Sequence, residues 1–244
     1  MKILGIIPAR YASTRFPGKP LVQIDGKSMI QRVYEQALKS NSLAEVIVAT
    51  DDRRIAEEVE GFGCRVVMTA STHLSGTDRC AEVAASVSGF DAMINIQGDE
   101  PYIDPLQIDL VASCFADNSV QIATLVKEIH TEDELFNENI PKVVLDYRQQ
   151  AIYFSRQTIP FLRGQNKSQW LAAHQFYKHI GIYGYTSRVL LEITQLQPST
   201  LELAENLEQL RWLEHGYFIQ TRQTDIETVA IDTEEDLKRI VTGI

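Results

Sequence analysis

The first twenty residues constrain the fold most strongly, because a short apolar run leads directly into a basic turn. Residues 3–7 read Ile-Leu-Gly-Ile-Ile, a pattern typical of a strand that is covered on both faces of a parallel sheet. Arg10, Arg15 and Lys19 follow within the same stretch, among prolines that stiffen the turn. These cations at the carboxyl end of a first strand could hold a polyanion such as a nucleoside triphosphate, although a solvated basic loop would explain each cation alone.

Strands and helices are predicted to alternate after this turn. Apolar residues recur at helical spacing over residues 28–40, and a short apolar strand is predicted over 46–49. Asp51 or Asp52 can cap a second helix, and another strand is predicted over 64–68. This βαβαβ order indicates an α/β fold with a mostly parallel sheet and helices on both faces.

The composition argues against several classes of protein. The chain of 244 residues has a formal net charge of −10, which disfavours a general nucleic-acid binder because affinity for the phosphate backbone needs a basic surface. Cys64, Cys80 and Cys114 are predicted to be buried thiols, since their spacing fits neither a disulfide framework nor a zinc site. The apolar run before Pro8 is too short for a signal peptide or a membrane span, so we expect a cytoplasmic protein without a membrane anchor.

A polar loop over residues 69–79 leads into the next predicted helix. Ser75 or Thr77 would make a good N-cap for that helix. Alternatively, hydroxyls and backbone amides of this loop could form a base pocket in which Arg79 pairs with the edge of a cytosine. The residues alone support these two interpretations about equally.

A predicted strand over residues 92–96 delivers Gln97, Gly98 and Asp99 to the edge at which parallel sheets bind ligands. Asp99 could hold Mg²⁺, which prefers one or two carboxylates and completes its coordination with water and phosphate oxygens. An acid in a turn, without any ligand, is the simpler alternative. Glu100 is assigned to structural support of this turn.

The second half of the chain changes in character. From about residue 141 the strands become short and aromatic, and residues 161–178 read as an irregular surface segment that could form a second lobe or a dimer contact. The string from His179 to Tyr185 alternates so that its histidine and tyrosines share one face of a strand. Packing alone would also explain that arrangement.

The C-terminal part is predicted to contain two helices. One is expected over residues 205–214, and a strand over 229–231 leads into the last one. Asp232 as the N-cap would place Glu235 at N3, which is close to a capping box. That interpretation explains both acids without a ligand.

Separated strings along nearly the whole chain resemble the CMP-Kdo synthetases, the 3-deoxy-manno-octulosonate cytidylyltransferases. They read PARYASTRFPGKPL over residues 8–21, QGDEP over 97–101, HIGIYGY over 179–185 and LEQL over 207–210. The resemblance implies a Rossmann-like nucleotidyltransferase that makes CMP-Kdo and pyrophosphate from CTP and Kdo, for lipopolysaccharide biosynthesis. Leu74 stands where members of this family usually carry a polar residue, so a base contact of that side chain is not expected.

The resemblance also implies roles for individual residues. Arg10, Lys19 and Asp99 would act in catalysis, and Mg²⁺ would lie on Asp99 and Asp232. Residues expected to bind the nucleotide are Pro8, Ala9, Arg10, Ser13, Arg15, Lys19, His73, Ser75, Gly76, Arg79, Gln97 and Asp99. Residues expected to bind the sugar acid are Gln97, Arg156, Arg163, His179, Tyr183, Glu208 and Gln209.

The expected organisation is one cytidylyltransferase domain over residues 1–244. Its nucleotide-binding part would span about 1–130, and a part for sugar binding and dimerisation would span about 131–225. A C-terminal strand and helix over 226–244 would return to the active site, and the resemblance implies a homodimer. Three alternatives stay open: an enzyme for 8-amino-Kdo or another sugar acid, a glycosyltransferase, and a non-catalytic nucleotide-binding protein. An ion pair at the surface would explain Arg156, and an exposed helix face would explain Glu208 and Gln209.

Overall fold

The computed structural model describes residues 1–12 and 15–242, with the backbone alone for residues 240–242. Ser13, which is predicted to bind the nucleotide, lies outside the described residues. In the part of the chain that is described, no helix is long and apolar enough to cross a bilayer.

Strands and helices alternate along the first half of the chain, as predicted. The strands are β1 (Ile3–Ala9), β2 (Gln23–Ile24), β3 (Lys27–Ser28), β4 (Leu43–Thr50), β5 (Arg65–Met68), β6 (Ala92–Asn95), β7 (Ile122–Glu128), β8 (Lys142–Leu145), β9 (Ala151–Ser155), β10 (Tyr177–Thr186) and β11 (Ile219–Gln223). The helices are α1 (Met29–Ala37), α2 (Arg53–Gly61), α3 (Gly76–Ser86), α4 (Pro105–Cys114), α5 (Glu132–Phe136), α6 (Trp170–Ala173), α7 (Ser187–Ile193), α8 (Thr200–Glu205), α9 (Gln209–Glu214) and α10 (Glu234–Thr242), with short 3₁₀ helices at Lys19–Leu21 and Lys167–Gln169.

The main sheet is mostly parallel. Its strand order is β11-β7-β10-β6-β1-β4-β5, and β8 and β9 are attached to the beginning of β10. β1 pairs in parallel with β4 and β6, β4 pairs in parallel with β5, and β7 pairs in parallel with β11. β10 runs antiparallel to both β6 and β7. The predicted α/β fold with a mostly parallel sheet is confirmed.

Alternate residues of β1 show why helices cover both faces of this sheet. Ile3 and Ile7 belong to a core that also contains side chains of α1, α2 and α4. Leu4 and Ile6 point the other way, into a core with side chains of α3, α7 and α9. Burying a large aliphatic side chain contributes about 1.5–3 kcal/mol, so a strand that is apolar on both faces is stable only between two layers of helices.

The long strand β10 changes partners along its length. It pairs with β6 from Tyr183 onward, whereas Tyr177 and Lys178 pair with β8. Its pairing with β7 shifts register between Ile180 and Tyr183. Phe176, directly before β10, belongs to an extension with a small core of its own, which also contains Ile129, Leu135 and Trp170.

Two predictions for the C-terminal third are wrong. The helix expected over residues 205–214 is divided into α8 and α9, because Asn206 takes a left-handed conformation with a φ of 52°, which asparagine tolerates better than most residues. The strand expected over 229–231 does not form, and residues 224–233 contain neither helix nor strand. The backbone of this segment is hydrogen-bonded elsewhere, since the Ile231 N–H donates to the carbonyl of Asp99 at 2.9 Å.

The cap of α10 also differs from the prediction by one residue. Thr233 Oγ1 accepts the Asp236 N–H at 3.1 Å, and Asp236 Oδ2 accepts the Thr233 N–H at 2.9 Å. This reciprocal pair is the capping box that was expected at Asp232 and Glu235. The carboxylate of Asp232 is therefore not needed by the helix.

Candidate active site

A single cleft of about 890 Å³, counted with its open mouth, gathers most of the predicted nucleotide-binding residues. It lies at the carboxyl ends of β1 and β6, beside the beginning of α3. This is where ligands bind in parallel sheets. The lining contains Pro8, Ala9, Arg10, Arg15, Lys19, Pro20, His73, Leu74, Ser75, Gly76, Arg79, Gln97, Gly98, Asp99 and Asp232.

The floor of the cleft depends on a close approach of two backbone segments. A Cβ atom placed on Gly98 would lie 2.7 Å from the carbonyl oxygen of Pro8, which is closer than carbon and oxygen can approach. Before that point, the Ile96 N–H donates to the carbonyl of Ile6 at 2.9 Å. Because only glycine fits at position 98, the turn after β6 can bring Asp99 next to the basic turn after β1.

The two predicted metal ligands converge on one cation. Lys19 Nζ lies 2.8 Å from Oδ2 of Asp99 and 3.2 Å from Oδ1 of Asp232. Arg15 Nη1 lies 3.2 Å from Oδ2 of Asp232. The structure thus brings together two acids and two cations of the predicted site.

Packing of the C-terminal segment places Asp232 in the cleft. Ile231 is fully buried in a small core with Phe16, Ile24 and Met29. Its N–H donates to the Asp99 carbonyl, so the residues that carry the two acids are joined by a backbone hydrogen bond. Asp232 is therefore held opposite Asp99 by apolar burial and by the backbone.

The donor set fits a magnesium ion. Mg²⁺ is commonly held by one or two carboxylates, with substrate phosphates and water in the remaining positions. Asp99 and Asp232 supply two carboxylates that already share one cation. Over residues 1–12 and 15–242, no group of three or more His, Cys, Asp and Glu side chains could hold a metal ion.

Glu100 connects the Asp99 turn with the C-terminal segment. Thr228 Oγ1 donates to Oε2 of Glu100 at 2.6 Å, and Gln107 Nε2 donates to the carbonyl of Ile226 at 3.1 Å. Burial, together with the adjacent Asp99 carboxylate, raises the pKa of Glu100 to about 7. These contacts agree with the predicted structural role of Glu100. The sequence did not indicate Thr228, which binds Glu100, or Gln107, which binds the same C-terminal segment.

Replacing Glu100 with glutamine is expected to stabilise the protein increasingly as the pH rises. Because the pKa of Glu100 is raised above its usual 4.5, protonation stabilises the folded state fully below pH 4.5, and this contribution is lost as the pH rises through 7. The free energy of unfolding of Glu100→Gln relative to wild type should therefore increase by about 2–3 kcal/mol between pH 5 and pH 8.

Urea unfolding in EDTA at several pH values measures this difference. The exposed Glu60→Gln, on α2, is the matched control and should follow the wild type at all pH values. A difference between Glu100→Gln and wild type that does not change with pH would contradict the prediction.

The loop before α3 is largely structured by itself. Ser75 is the N-cap of α3, with its Oγ accepting the Asp78 N–H at 3.0 Å and Asp78 Oδ2 accepting the Ser75 N–H at 3.2 Å. His73 Nε2 contacts Glu82. The N-cap interpretation of Ser75 is confirmed, although Ser75, His73 and Gly76 also line the cleft, and a role in nucleotide binding stays a prediction.

The guanidinium of Arg79 is held by two side chains that the sequence did not indicate as its partners. Its side chain is buried, and the guanidinium contacts Thr69 Oγ1 and lies 3.5 Å from Oδ1 of Asp51. These contacts fix the direction of the guanidinium, which also lines the cleft. Contact of Arg79 with a cytosine base stays a prediction.

Aromatic and polar residues share one face of β10, as predicted. His179 contacts Tyr183, which in turn stacks on Tyr185. His179 Nε2 lies 3.0 Å from Oγ1 of Thr124, and Thr124 donates its hydroxyl proton to the carbonyl of Ile182 at 2.7 Å. Since the proton of Thr124 is used in this way, we assign the Nε2 proton to His179, which leaves Nδ1 as an acceptor.

Glu208 and Gln209 are not on an exposed helix face. Glu208 Oε2 accepts a hydrogen bond from Thr77 Oγ1 at 2.8 Å, and burial raises the pKa of Glu208. Gln209 is buried at the start of α9. Gln97 donates from Nε2 to the carbonyl of Gly181 at 2.9 Å, so the turn after β6 is connected to the irregular part of β10.

Comparison with known proteins identifies the family. The family model described as cytidylyltransferase matches residues 4–230. A 3-deoxy-manno-octulosonate cytidylyltransferase of Parabacteroides distasonis is 57% identical over 244 residues, covering 98% of this chain and 96% of that protein. One from Cytophaga hutchinsonii is 57% identical over 242 residues with the same coverage. The chain belongs to the 3-deoxy-manno-octulosonate cytidylyltransferase family.

A solved structure supports the same assignment of this cytidylyltransferase. It is that of a CMP:2-keto-3-deoxy-manno-octonic acid synthetase complexed with CTP, and it is 41% identical to this chain. The two structures superimpose with a TM-score of 0.92 over 99% of this chain and 98% of the other. The fold is therefore that of a nucleotidyltransferase, as the sequence predicted.

Two predicted sugar-binding arginines of this cytidylyltransferase lie in different surroundings. The guanidinium of Arg156 donates to the carbonyls of Glu205, Asn206 and Glu138 at 2.7–3.2 Å. Arg163 is exposed in the loop that precedes the second 3₁₀ helix. Arg156 thus fixes the end of α8, where the chain turns toward Glu208, and only its remaining N–H groups are free to bind a sugar carboxylate.

Leu74, whose side chain is not expected to contact a base, lies at the edge of the loop before α3. Its side chain is 92% exposed at the rim of the cleft. An aliphatic side chain cannot donate or accept a hydrogen bond, so the base contact predicted for this loop would have to come from its backbone groups and polar side chains.

Proposed function

We propose that this chain transfers the cytidylyl group of CTP to 3-deoxy-D-manno-octulosonate and releases pyrophosphate. One observation carries the proposal: three cations of the first turn and the acid pair Asp99 and Asp232 line one cleft. Relatives that are 57% identical over nearly the full length carry the corresponding name. The product would supply activated sugar for lipopolysaccharide.

The reaction is a displacement in which the anomeric hydroxyl of the sugar attacks the α-phosphorus of CTP and pyrophosphate leaves. Such a transfer depends mainly on positioning and on stabilisation of charge. Arg10, Arg15 and Lys19 would neutralise the triphosphate from the wall of the cleft that they form. Mg²⁺ held by Asp99 and Asp232 would, when bound, stabilise phosphoryl oxygens and lower the pKa of the attacking hydroxyl.

We assign His179 to positioning of the sugar acid and not to proton abstraction. Burial lowers the pKa of His179 to about 4, so the neutral imidazole is a weak base at neutral pH. Its Nε2 is used in the contact with Thr124, and Nδ1 is left to accept from a sugar hydroxyl. Gln97, Tyr183, Glu208 and Gln209 would complete the sugar-binding side.

His179→Ala is expected to raise the KM for the sugar acid about fivefold, because one hydrogen bond is worth on the order of 1 kcal/mol. The acid limb of the rate profile near neutral pH should stay unchanged, since a general base controls the acid limb and a group with a pKa of about 4 does not titrate near neutral pH. Steady-state kinetics over a pH series measures both, with the exposed His130→Ala as control. Loss of an acid limb near neutral pH in His179→Ala would contradict the assignment.

Release of pyrophosphate tests the proposed reaction directly. CTP and Mg²⁺ are offered with Kdo, with 8-amino-Kdo or with N-acetylneuraminate, and a reaction without sugar is the blank. Release with Kdo is expected; release with 8-amino-Kdo alone would assign the enzyme to that sugar. No release from folded protein that still binds CTP would favour a non-catalytic nucleotide-binding protein. A glycosyltransferase would consume a nucleotide sugar and release no pyrophosphate.

We also propose a homodimer in the cytoplasm. Large apolar side chains are exposed on and beside the extension, namely Tyr147, Ile152, Phe161 and Phe218, and a second copy of the chain would cover them. Cys64, Cys80 and Cys114 are buried free thiols, as predicted, which suits a reducing compartment. Sedimentation equilibrium of the wild type and of Tyr147→Ser tests the dimer, which the substitution should weaken.

A further inference from the structure

The side chain of Lys19 lies where a divalent ion would have to bind. Its ammonium bridges Asp99 and Asp232 at 2.8 and 3.2 Å, and the lysine side chain is only 14% exposed. Arg15 adds a second, more exposed cation to Asp232. A carboxylate that already accepts a charge-assisted hydrogen bond binds a metal ion less strongly. The ammonium and the ion therefore compete for the same oxygens.

The lysine can leave this position without a change of fold. Its backbone is fixed at the start of a 3₁₀ helix that follows Gly18, whose φ is 72°. The four-carbon stem is flexible, and its ammonium can rotate among partners. Lys19 also lines the cleft next to Arg10, so an anionic ligand there would give the ammonium a second partner.

We propose that Lys19 acts as a placeholder cation. Its ammonium occupies the carboxylates of Asp99 and Asp232 and prevents a divalent metal ion from binding there, until an anionic ligand attracts the ammonium away. The inference rests on the proposed assignment of these two acids as metal ligands. In the free protein the metal binds weakly, because it must displace an ammonium from both carboxylates. A polyphosphate in the cleft removes that competition, so phosphate and metal each strengthen the binding of the other.

Binding of Mn²⁺ alone, without nucleotide, tests the placeholder. Free Mn²⁺ is measured by electron paramagnetic resonance during titration of wild type and of Lys19→Met, which keeps the apolar stem and removes the charge. We expect Lys19→Met to bind Mn²⁺ at least about tenfold more tightly than the wild type, since the substitution removes a positive charge that repels the metal ion from a few ångströms away. Lys27→Met removes an exposed lysine that pairs with Glu35 and should behave as the wild type.

A double variant separates this inference from the metal-ligand assignment. Adding Asp232→Asn to Lys19→Met should abolish the gain in affinity for Mn²⁺. If the gain survives, Asp232 is not a ligand and the proposed assignment fails. The wild type could instead bind Mn²⁺ as tightly as Lys19→Met does, with Asp232→Asn weakening the binding in both backgrounds. In that case the metal-ligand assignment is right and the placeholder role of Lys19 is wrong.

Thermal unfolding gives a second readout. Without the ammonium of Lys19, the repulsion between the carboxylates of Asp99 and Asp232 is less well compensated. Mg²⁺ alone should therefore raise the Tm of Lys19→Met by more than it raises the Tm of the wild type. Equal shifts would contradict the placeholder. If Lys19→Met does not fold, Lys19→Gln, which keeps hydrogen-bond donors without the charge, replaces it in both measurements.

Discussion

Asp99→Asn is expected to reduce kcat by at least about 10³-fold and to weaken the dependence of the rate on Mg²⁺. The substitution preserves the shape of the side chain but removes the charge that faces Lys19 at 2.8 Å and Asp232 across it. A metal that stabilises the reacting phosphate contributes several kcal/mol, and each 1.4 kcal/mol is about a factor of ten in rate.

The control for Asp99→Asn is Asp104→Asn, the same substitution five residues later in the chain. Asp104 is the N-cap of α4, where its Oδ1 accepts the Leu106 N–H at 2.9 Å, and asparagine caps helices about as well as aspartate. Asp104→Asn should therefore keep near-normal activity. Pyrophosphate release is measured against Mg²⁺ concentration for both variants, and an unchanged Mg²⁺ titration in Asp99→Asn would refute its assignment as a ligand.

Lys19→Met is expected to lower kcat by about 10²–10³-fold, the typical loss when one charge-stabilising donor is removed. The same variant should bind Mn²⁺ more tightly in the absence of nucleotide, so two effects of opposite sign come from one side chain. A general loss of structure would reduce both. Lys27→Met, which removes an equal charge outside the cleft, should retain turnover.

The result that would exclude Lys19 from the chemistry is near-normal turnover by folded Lys19→Met. The fold is checked by far-ultraviolet circular dichroism and by the melting temperature. Turnover is measured at saturating CTP and sugar acid, so that a change in kcat is separated from a change in KM. Reduced turnover with an unchanged affinity for Mn²⁺ would keep Lys19 in catalysis and remove the placeholder.

Local features of the fold followed from local sequence. β1 was predicted from its apolar run and lies at the centre of the sheet. The caps at Asp52 and Ser75 were predicted as alternatives, and both side chains accept from the first turn of their helices. These signals work because a strand covered on both faces and an N-cap each depend on only a few neighbouring residues.

The predictions failed where a distant contact outweighed a local preference. Residues 229–231 have the apolar, β-branched character of a strand, but the N–H of Ile231 is bound to the carbonyl of Asp99 and its side chain is buried against the segment after β1. Residues 205–214 have good helix formers on both sides of Asn206, whose carbonyl and that of Glu205 accept from Arg156. Neither partner can be recognised from spacing in the sequence.

Several residues of the candidate site were missed for the same reason. Asp51 holds Arg79, Thr124 orients His179, and Thr77 binds Glu208. Threonines and acids of this kind are common on any surface, so their types give no signal by themselves. Only their positions next to the predicted residues show that they support the cleft.

The sequence by itself determined the alternation of strands and helices in the first half of the chain, the family and most of the residues that line the cleft, because these depend on local patterns and on motifs whose residues are close together. The tertiary structure decided the arrangement of charge within the cleft. Lys19 and Asp232 are 213 positions apart and are 3.2 Å apart in space. Burial of Ile231 beside Phe16 and the glycine-dependent contact at Gly98 bring them together, and such packing depends on the whole chain at once.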